Sequence, residues 1–211
     1  MTTPNVWLFY ANQIGYGRIV SSLLSFYFMD SQPVVAIILY TLSAGLDAVD
    51  GYMARKYHQS SRFGAMLDQL TDRCSTMALV MTLGSFYPKY LFFFQCSAIL
   101  DIAAHWLHLH AADLTGKTTH KLSANRILNL YYTSKNFLFF MCAGNEAFYG
   151  LLYLYHFWSG PSFLGFSFVS LLVIITFPVA FLKSMISIVH LCTAAATVVQ
   201  HDIHQIESKR G

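Results

Sequence analysis

The sequence contains little charge. Asp, Glu, Lys and Arg make up 11% of its 211 residues, whereas hydrophobic residues make up 55%. Charged residues form about a quarter of an ordinary soluble domain, so this composition excludes a soluble globular protein and argues against a disordered one. The formal net charge of +3 is too small to attract a polyanion such as nucleic acid. The composition therefore predicts an integral membrane protein without a nucleic-acid partner.

The sequence also lacks cysteine pairs and a cleavable signal. The cysteines stand singly in apolar runs, at Cys74, Cys96, Cys142 and Cys192. Because they lack the spacing of a zinc motif or a disulfide framework, we expect reduced thiols. The first 17 residues contain no Lys or Arg, so we expect the first hydrophobic helix to be retained. No internal repeat is present, and a single membrane domain over residues 1–211 is predicted.

Six hydrophobic runs are long enough to cross a bilayer, which takes about 20 residues of helix. The predicted helices cover residues 12–29, 32–55, 62–86, 89–112, 134–158 and 163–199. Residues 121–133 have the pattern of a short amphipathic helix at the membrane interface. Pro178 is expected to kink the last helix. The predicted fold is all-α: a polytopic membrane protein with six transmembrane helices and a short interfacial helix.

Basic residues are unevenly distributed over the short loops. One side of the predicted membrane carries Arg55, Lys56, Arg62, Lys117, Lys121, Arg126, Lys135, Lys209 and Arg210. The loops of the opposite side offer Lys89 alone. Because short cytoplasmic loops carry the excess of Lys and Arg, this asymmetry predicts that both termini and the loop before Arg62 face the cytosol.

A cluster of acids stands out in this apolar chain. Four of its ten acidic residues lie within or at the ends of the second and third helices, at Asp47, Asp50, Asp68 and Asp72. An Asp at a helix centre costs about 2.5–3.5 kcal/mol on insertion scales, so a counter-charge must be present. Helical spacing puts each pair on one side of its helix, and the short connection lets the two pairs converge. Oxygen ligands favour Mg²⁺ or Mn²⁺ over zinc.

Small residues and one arginine share the helix faces that carry the acids. Gly51 and Ala54 lie beside the acids of the second helix, and Gly64 lies beside those of the third. Small walls with Arg55 at the mouth suit a diphosphate that bridges two metal ions. Small residues also let helices pack closely, and this alternative stays open for the two glycines.

These residues form a motif. Residues 47–72 spell DAVDGYMARKYHQSSRFGAMLDQLTD, which matches the pattern D(x)2DG(x)2AR(x)8G(x)3D(x)3D at all eight fixed positions. The chain thereby resembles the CDP-alcohol phosphotransferase family. The resemblance implies a six-helix membrane enzyme, often a homodimer, that transfers a phosphatidyl or phosphoalcohol group from a CDP-linked donor to an alcohol and releases CMP.

Longer segments are similar to one branch of this family. They include NQIGYGRIVSSLLSFYFM, RFGAMLDQLTDRCSTM and CAGNEAFYGLLYLYHF. The similarity covers nearly the whole chain and thins at residues 31–40, at residues 113–125 and in the tail. The branch comprises eukaryotic enzymes of the endoplasmic reticulum that use CDP-diacylglycerol and myo-inositol. The resemblance implies the same substrates, with phosphatidylinositol and CMP as products.

The resemblance also implies residue roles. Asp47, Asp50 and Asp68 match the family's metal ligands. Asp72 matches the acid that serves as general base and also lies at the second metal. The expected contacts to CDP-diacylglycerol are Gly51, Ala54, Arg55, Ser61 and Gly64. Near the N-terminus the family commonly has a Pro-Asn pair followed by an arginine, whereas this chain has Ala11, Asn12 and Arg18. Asn12 is kept as a candidate nucleotide contact.

The acceptor pocket is harder to recognise. Asp101, His105 and His108 recur at helical spacing on the fourth helix, and Lys183 shares a face of the sixth helix with Ser187 and His190. An uncharged polyol needs several directional hydrogen-bonding partners, which these side chains supply. We therefore take Asp101, His105, His108 and Lys183 as candidate inositol contacts. A zinc site and a polar helix end remain alternatives.

Two further functions remain open. A sibling enzyme that uses serine, glycerol phosphate or another alcohol would carry the same eight-position motif. An ion transporter would also place acids inside the membrane. Such a transporter has no use for the small residues and Arg55 beside the acids, and it would not need a cytidine nucleotide.

Overall fold

A computed structural model describes residues 4–115, 133–163 and 165–210. Almost all of these residues are helical, so the predicted all-α fold is confirmed. The helices are α1 (Tyr10–Phe28), α2 (Pro33–Lys56), α3 (Arg62–Phe86), α4 (Leu91–Thr115), α5 (Lys135–Phe157) and α6 (Phe168–Ser208). Short 3-10 turns cover Val6–Leu8 and Pro88–Tyr90. The interfacial helix predicted at 121–133 lies, but for its last residue, outside the described residues.

The last helix differs from its prediction at both ends. Residues 163–167 were expected to be helical, but Ser162–Phe163 and Phe166–Ser167 form a two-stranded antiparallel hairpin. Gly160 and Gly165 have positive φ angles of 75° and 84°, a conformation that glycine adopts without strain and that interrupts a helix. Helix α6 then continues through Pro178 to Ser208. The predicted kink at Pro178 stays a prediction.

Four helices of the described residues are long and apolar enough to cross a membrane: Pro33–Lys56, Pro88–Thr115, Asn136–Phe157 and Phe168–Ser208. The exposed surface is also rich in large apolar side chains, such as Tyr27 and Phe92, which suits contact with lipid. The chain is thus an integral membrane protein. Helices α1 and α3 are less apolar and are not among these four. That all six helices cross remains a prediction.

The chain divides into two compact units, Met1–Pro88 and Lys89–Gly211. In the first unit, α1 packs against α2 and α3. Hydroxyl groups join these three helices, since Ser22 Oγ lies 2.9 Å from Ser43 Oγ and 3.0 Å from Ser75 Oγ. Such hydrogen bonds hold helices together where lipid offers no alternative partner. A single domain over residues 1–211 stays a prediction.

In the second unit, α6 packs against both α4 and α5. A Cβ atom on Gly144 of α5 would lie only 2.6 Å from Val179 Cγ1 of α6, so glycine permits this close approach. The buried hydroxyl of Tyr149 lies 2.5 Å from Ser97 Oγ and links α5 to α4. The cysteines of the chain are free, as expected.

Candidate functional site

The four acids of the motif meet in the first unit. Asp47 and Asp50 come from the C-terminal half of α2, and Asp68 and Asp72 from the N-terminal half of α3. Carboxylate oxygens of Asp47, Asp50 and Asp68 all lie within 4.8 Å of one another. The structure therefore brings the motif acids together on two helices, as their spacing indicated. We call these four residues the acid cluster.

Arg18 of α1 lies at the centre of the acid cluster. Its Nη1 atom is 2.9 Å from Asp47 Oδ1, 2.7 Å from Asp50 Oδ2 and 2.6 Å from Asp68 Oδ1. Its Nη2 atom donates a hydrogen bond of 2.5 Å to Asp72 Oδ1. The Arg18 side chain is 1% exposed, whereas those of Asp47 and Asp68 are 44% and 45% exposed. The guanidinium thus lies beneath carboxylates that are open on their outer side.

Sequence reasoning gave Arg18 no role beyond its place in the N-terminal pattern. One signal was available, because Arg18 is the only Lys, Arg, Asp or Glu in α1. A lone basic residue inside a hydrophobic helix requires a partner. The spacing along one helix could not identify that partner, since the acids belong to two other helices.

Asp72 occupies a position of its own within the acid cluster. It contacts the second nitrogen of the guanidinium, Nη2, rather than Nη1, and its Oδ2 atom lies 3.7 Å from Arg73 Nη2. Its side chain is 36% exposed, so solvent or a substrate can reach it. This geometry separates Asp72 from the three acids that converge around Nη1.

The acid cluster fits a divalent cation. Its donors are all carboxylate oxygens, the set that hard ions such as Mg²⁺ and Mn²⁺ prefer. Among the residues that the structure describes, Asp47, Asp50 and Asp68 are the only group of three or more acidic, histidine or cysteine side chains that converge closely enough to hold a metal ion. A cationic nitrogen already stands between them. The site is therefore shaped for a positive charge.

Gly51 and Arg55 lie together in the last turns of α2. A Cβ atom on Gly51 would lie 3.4 Å from Arg55 Nη1, an ordinary van der Waals distance, so the guanidinium lies directly beside Gly51. Arg55 is exposed, and Ala54 beside it is half-buried. An exposed arginine beside small residues can bind a phosphate group through several hydrogen bonds.

Gly64 lies where α3 begins. A Cβ atom there would lie 2.7 Å from Asn12 Oδ1 and 3.1 Å from Ser61 Oγ. The neighbours of Gly64 are thus polar atoms, so close packing between apolar helices does not account for this glycine. Ser61 caps α3, because its hydroxyl accepts a hydrogen bond of 3.0 Å from the Gly64 amide. Buried Asn12 donates from Nδ2 to the Val6 carbonyl at 2.7 Å.

The polar residues predicted for the acceptor lie in the second unit. His105 Nδ1 is 3.4 Å from Asp101 Oδ1, within α4. His108 stacks on His190 of α6 with a centroid distance of 4.2 Å, and His105 lies edge-on to His190 at 6.2 Å. His190 was noted in the sequence but was not placed among the contacts. The spacing of polar residues along α4 or along α6 does not show which residues of the two helices contact each other.

Lys183 lies on the same face of α6 as Ser187 and His190, and all three side chains are buried. No residue that the structure describes forms a hydrogen bond or ion pair with Lys183. A lysine within an apolar helix that lacks such a partner suits a ligand that accepts hydrogen bonds. The zinc alternative gains no support, since the described histidines do not form a group with metal-binding geometry.

An apolar groove of about 460 Å³ runs along α2 and was not anticipated. It is lined by Ile37, Ile38, Thr41, Leu42, Gly45, Leu46 and Val49. Its last residue, Val49, directly precedes Asp50 in the sequence. Because successive residues of a helix are turned by about 100°, the groove occupies a face of α2 different from the one that carries Asp47.

The fold and the site define an all-α membrane protein with a carboxylate cluster on two adjacent helices, suited to bind a divalent cation. The profile of the CDP-alcohol phosphatidyltransferase family matches residues 8–199. The chain belongs to this family, and the resemblance drawn from the motif is confirmed.

Individual relatives cover nearly the whole chain. The human CDP-diacylglycerol--inositol 3-phosphatidyltransferase is 50% identical over 205 residues, which is 96% of each chain. The protein of the same name from Drosophila melanogaster is 47% identical over 98% of this chain and 92% of its own. The one from Saccharomyces cerevisiae is 40% identical over 99% and 94%. No solved structure gives a significant match.

Proposed function

We propose that this chain transfers a phosphatidyl group from CDP-diacylglycerol to myo-inositol and forms phosphatidylinositol and CMP. The acid cluster is the observation that carries the proposal, because its residues fill the family motif and converge on one point. Relatives that bear the name of this activity match the chain over nearly its full length. The substrates follow from those names and from the sequence resemblance.

We infer that Asp47, Asp50 and Asp68 hold Mg²⁺ or Mn²⁺, with Asp72 at a second ion. When bound, such ions neutralise charge on the diphosphate and on the departing phosphate. The open outer side of Asp47 and Asp68 supports approach from solvent. The all-oxygen donor set supports a hard ion and does not choose between the two metals.

The donor is held by residues near the junction of α2 and α3. Arg55 binds the diphosphate, and Gly51 and Ala54 leave space beside it. The Ser61 hydroxyl accepts the bond that caps α3 and keeps its own hydrogen to donate to a phosphate oxygen. The backbone near Gly64 can approach the nucleotide, together with Asn12. An acyl chain of the donor fits the apolar groove along α2.

Asp72 accepts the proton in the proposed reaction. As an inositol hydroxyl oxygen attacks the β-phosphorus, its proton passes to a carboxylate oxygen of Asp72, and the bond between the β-phosphorus and the bridging oxygen breaks. That oxygen leaves with CMP. The contact to Arg73 orients the Asp72 carboxylate, and its partial exposure leaves it accessible.

The acceptor is bound by the polar residues of α4 and α6. Asp101, His105, His108 and Lys183, now joined by His190, offer both donors and acceptors to the ring hydroxyls. The ammonium of Lys183 lacks a partner within the described chain and gains one from a hydroxyl oxygen. We also infer a homodimer in the endoplasmic reticulum, with the acid cluster facing the cytosol.

A parallel assay tests this function. Purified protein is given CDP-diacylglycerol, Mg²⁺ and labelled inositol, serine or glycerol 3-phosphate. We expect label in lipid from inositol alone, and a loss of about a thousandfold or more in Asp72→Asn, since general-base catalysis supplies about 10²–10⁴-fold. Asp30→Asn, an exposed acid outside the cluster, serves as the control and should retain activity.

Each of the other possible results would contradict a different part of the proposed function. Label from serine or glycerol 3-phosphate would indicate a sibling enzyme. Full activity in Asp72→Asn would remove Asp72 as the base. A protein that transfers no label from any acceptor and is not stabilised by CMP would be better explained as a transporter.

A further inference from the structure

We propose that Arg18 is the resident counter-ion of the acid cluster: it offsets part of the carboxylates' negative charge before a divalent ion binds, and the ion must displace it. The inference rests on the metal site of the proposed function and adds a competing group that belongs to the chain itself.

Arg18 Nη1 lies among three carboxylates of the acid cluster. This nitrogen carries two hydrogens, yet it lies 2.6–2.9 Å from oxygens of three carboxylates, those of Asp47, Asp50 and Asp68. It can direct hydrogen bonds to two of them, and the third is attracted by charge alone. Nη1 thus stands among the same three carboxylates that would hold a metal ion. A cation with oxygen ligands at about 2.0–2.1 Å and this nitrogen cannot share that point.

The positive charges at the acid cluster are fewer than its negative charges. Arg18 and Arg73 supply two positive charges against four carboxylates, so the acid cluster keeps a formal charge of −2. Arg18 therefore reduces the repulsion between the carboxylates in the metal-free site but does not cancel their charge. The remaining negative charge continues to attract a divalent ion.

The backbone of Arg18 is held more completely than its side chain. The Ser43 hydroxyl donates a 3.1 Å hydrogen bond to the Arg18 carbonyl and anchors the backbone of α1 at this residue. By contrast, the buried Nε atom of Arg18 has no hydrogen-bond partner among the described residues. Reaching the carboxylates therefore leaves the Nε–H group of Arg18 without a hydrogen bond, which lowers the cost of displacing the side chain.

Mn²⁺ titration followed by electron paramagnetic resonance, without nucleotide, tests the proposal. Wild type, Arg18→Met and Arg18→Lys are compared with Arg62→Met, which removes an exposed arginine of the same unit. We expect an apparent Kd for Mn²⁺ about tenfold lower in Arg18→Met. This factor corresponds to a wild-type site that Arg18 leaves free for the ion about one-tenth of the time. Arg18→Lys should shift in the same direction by less, because one ammonium cannot span all four carboxylates. Arg62→Met should match wild type.

Thermal melting gives the second measurement. Without metal, Arg18→Met should melt below wild type, and saturating Mg²⁺ should remove the difference. Unchanged or weaker Mn²⁺ binding in both Arg18 variants would overturn the proposal, and Arg18→Lys decides alone if Arg18→Met does not fold. A wild type that binds no Mn²⁺ would overturn the metal site and this inference together, whereas binding that is indifferent to Arg18 overturns only the role of Arg18.

Discussion

Lys183 carries a positive charge in a buried position of α6. Its neighbours on the same face, Ser187 and His190, are buried as well. A lysine in this setting either serves the structure or receives a ligand, and the two roles predict different measurements. A structural lysine affects melting, whereas a ligand-binding lysine affects the substrate concentration needed for turnover.

We expect Lys183→Met to raise the inositol concentration for half-maximal activity roughly ten- to a hundredfold, because a hydrogen bond to a charged group contributes about 1.5–3 kcal/mol. The half-saturating concentration of CDP-diacylglycerol should not change. Lys209→Met, at the exposed end of α6, is the control. A lower melting temperature with an unchanged inositol requirement would assign Lys183 a structural role.

The residues of the site were predictable to different degrees. Asp47, Asp50, Asp68 and Asp72 follow from their cost inside an apolar helix and from their helical spacing, so their convergence was foreseeable. Arg18 and its contacts were not, because they depend on how three helices pack. The spacing of residues along one helix identifies those that share a face. It does not identify the face of another helix against which they pack.

At the scale of elements, three contacts hold the start of α3 and its neighbouring residues in place. Ser61 caps the helix, Gly64 admits Asn12, and Gln59 Oε1 accepts a 2.9 Å hydrogen bond from the Tyr10 amide. These contacts link the loop between α2 and α3 to the start of α1. They hold Asn12, Ser61 and Gly64, three of the expected nucleotide contacts, close to one another.

We expect Gly64→Ala to lower transferase activity between about tenfold and a hundredfold, since small misplacements of binding groups have effects of this size. The added Cβ atom would lie 2.7 Å from Asn12 Oδ1, so one of the two residues must move. Gly17→Ala is the matched control, because a Cβ atom there meets nothing within 4 Å. Equal activity in the two variants would mean that Asn12 moves aside without effect.

The six long helices of the described residues were predictable, and their limits less so. Hydrophobic runs located all six, since each must bury or present about 20 apolar residues. The start of α6 was predicted too early because Phe163 and Phe166 continue the apolar run, whereas the positive φ angles of Gly160 and Gly165 fold it into a hairpin. Hydrophobicity alone does not report backbone conformation.

At the scale of the whole molecule, the open question is which helices cross the bilayer. The basic loops predict that Lys56 and Lys209 face the cytosol and that Lys89 faces the opposite side. Helix α3 connects Lys56 to Lys89 and falls short of the apolar criterion that α2 meets. Its crossing therefore decides the topology and the side on which the acid cluster opens.

Cysteine labelling in sealed microsomes tests this topology. In a background without the native cysteines, Lys56→Cys and Lys209→Cys should react with a membrane-impermeant maleimide added outside. Lys89→Cys should react only after the membrane is permeabilised. Labelling of Lys89→Cys in intact vesicles would mean that α3 does not cross.

Helix α6 runs without interruption for 41 residues. At 1.5 Å per residue its length is about 60 Å, twice the hydrocarbon thickness of about 30 Å. Even at a tilt of about 40°, the upper end of the usual range, it is longer than the acyl-chain region is thick, and its final turns carry His201, Asp202, His204 and Glu207. A fluorophore attached to these turns would report their height above the headgroups. Energy transfer to dye-labelled lipids would measure that height as a molecular ruler.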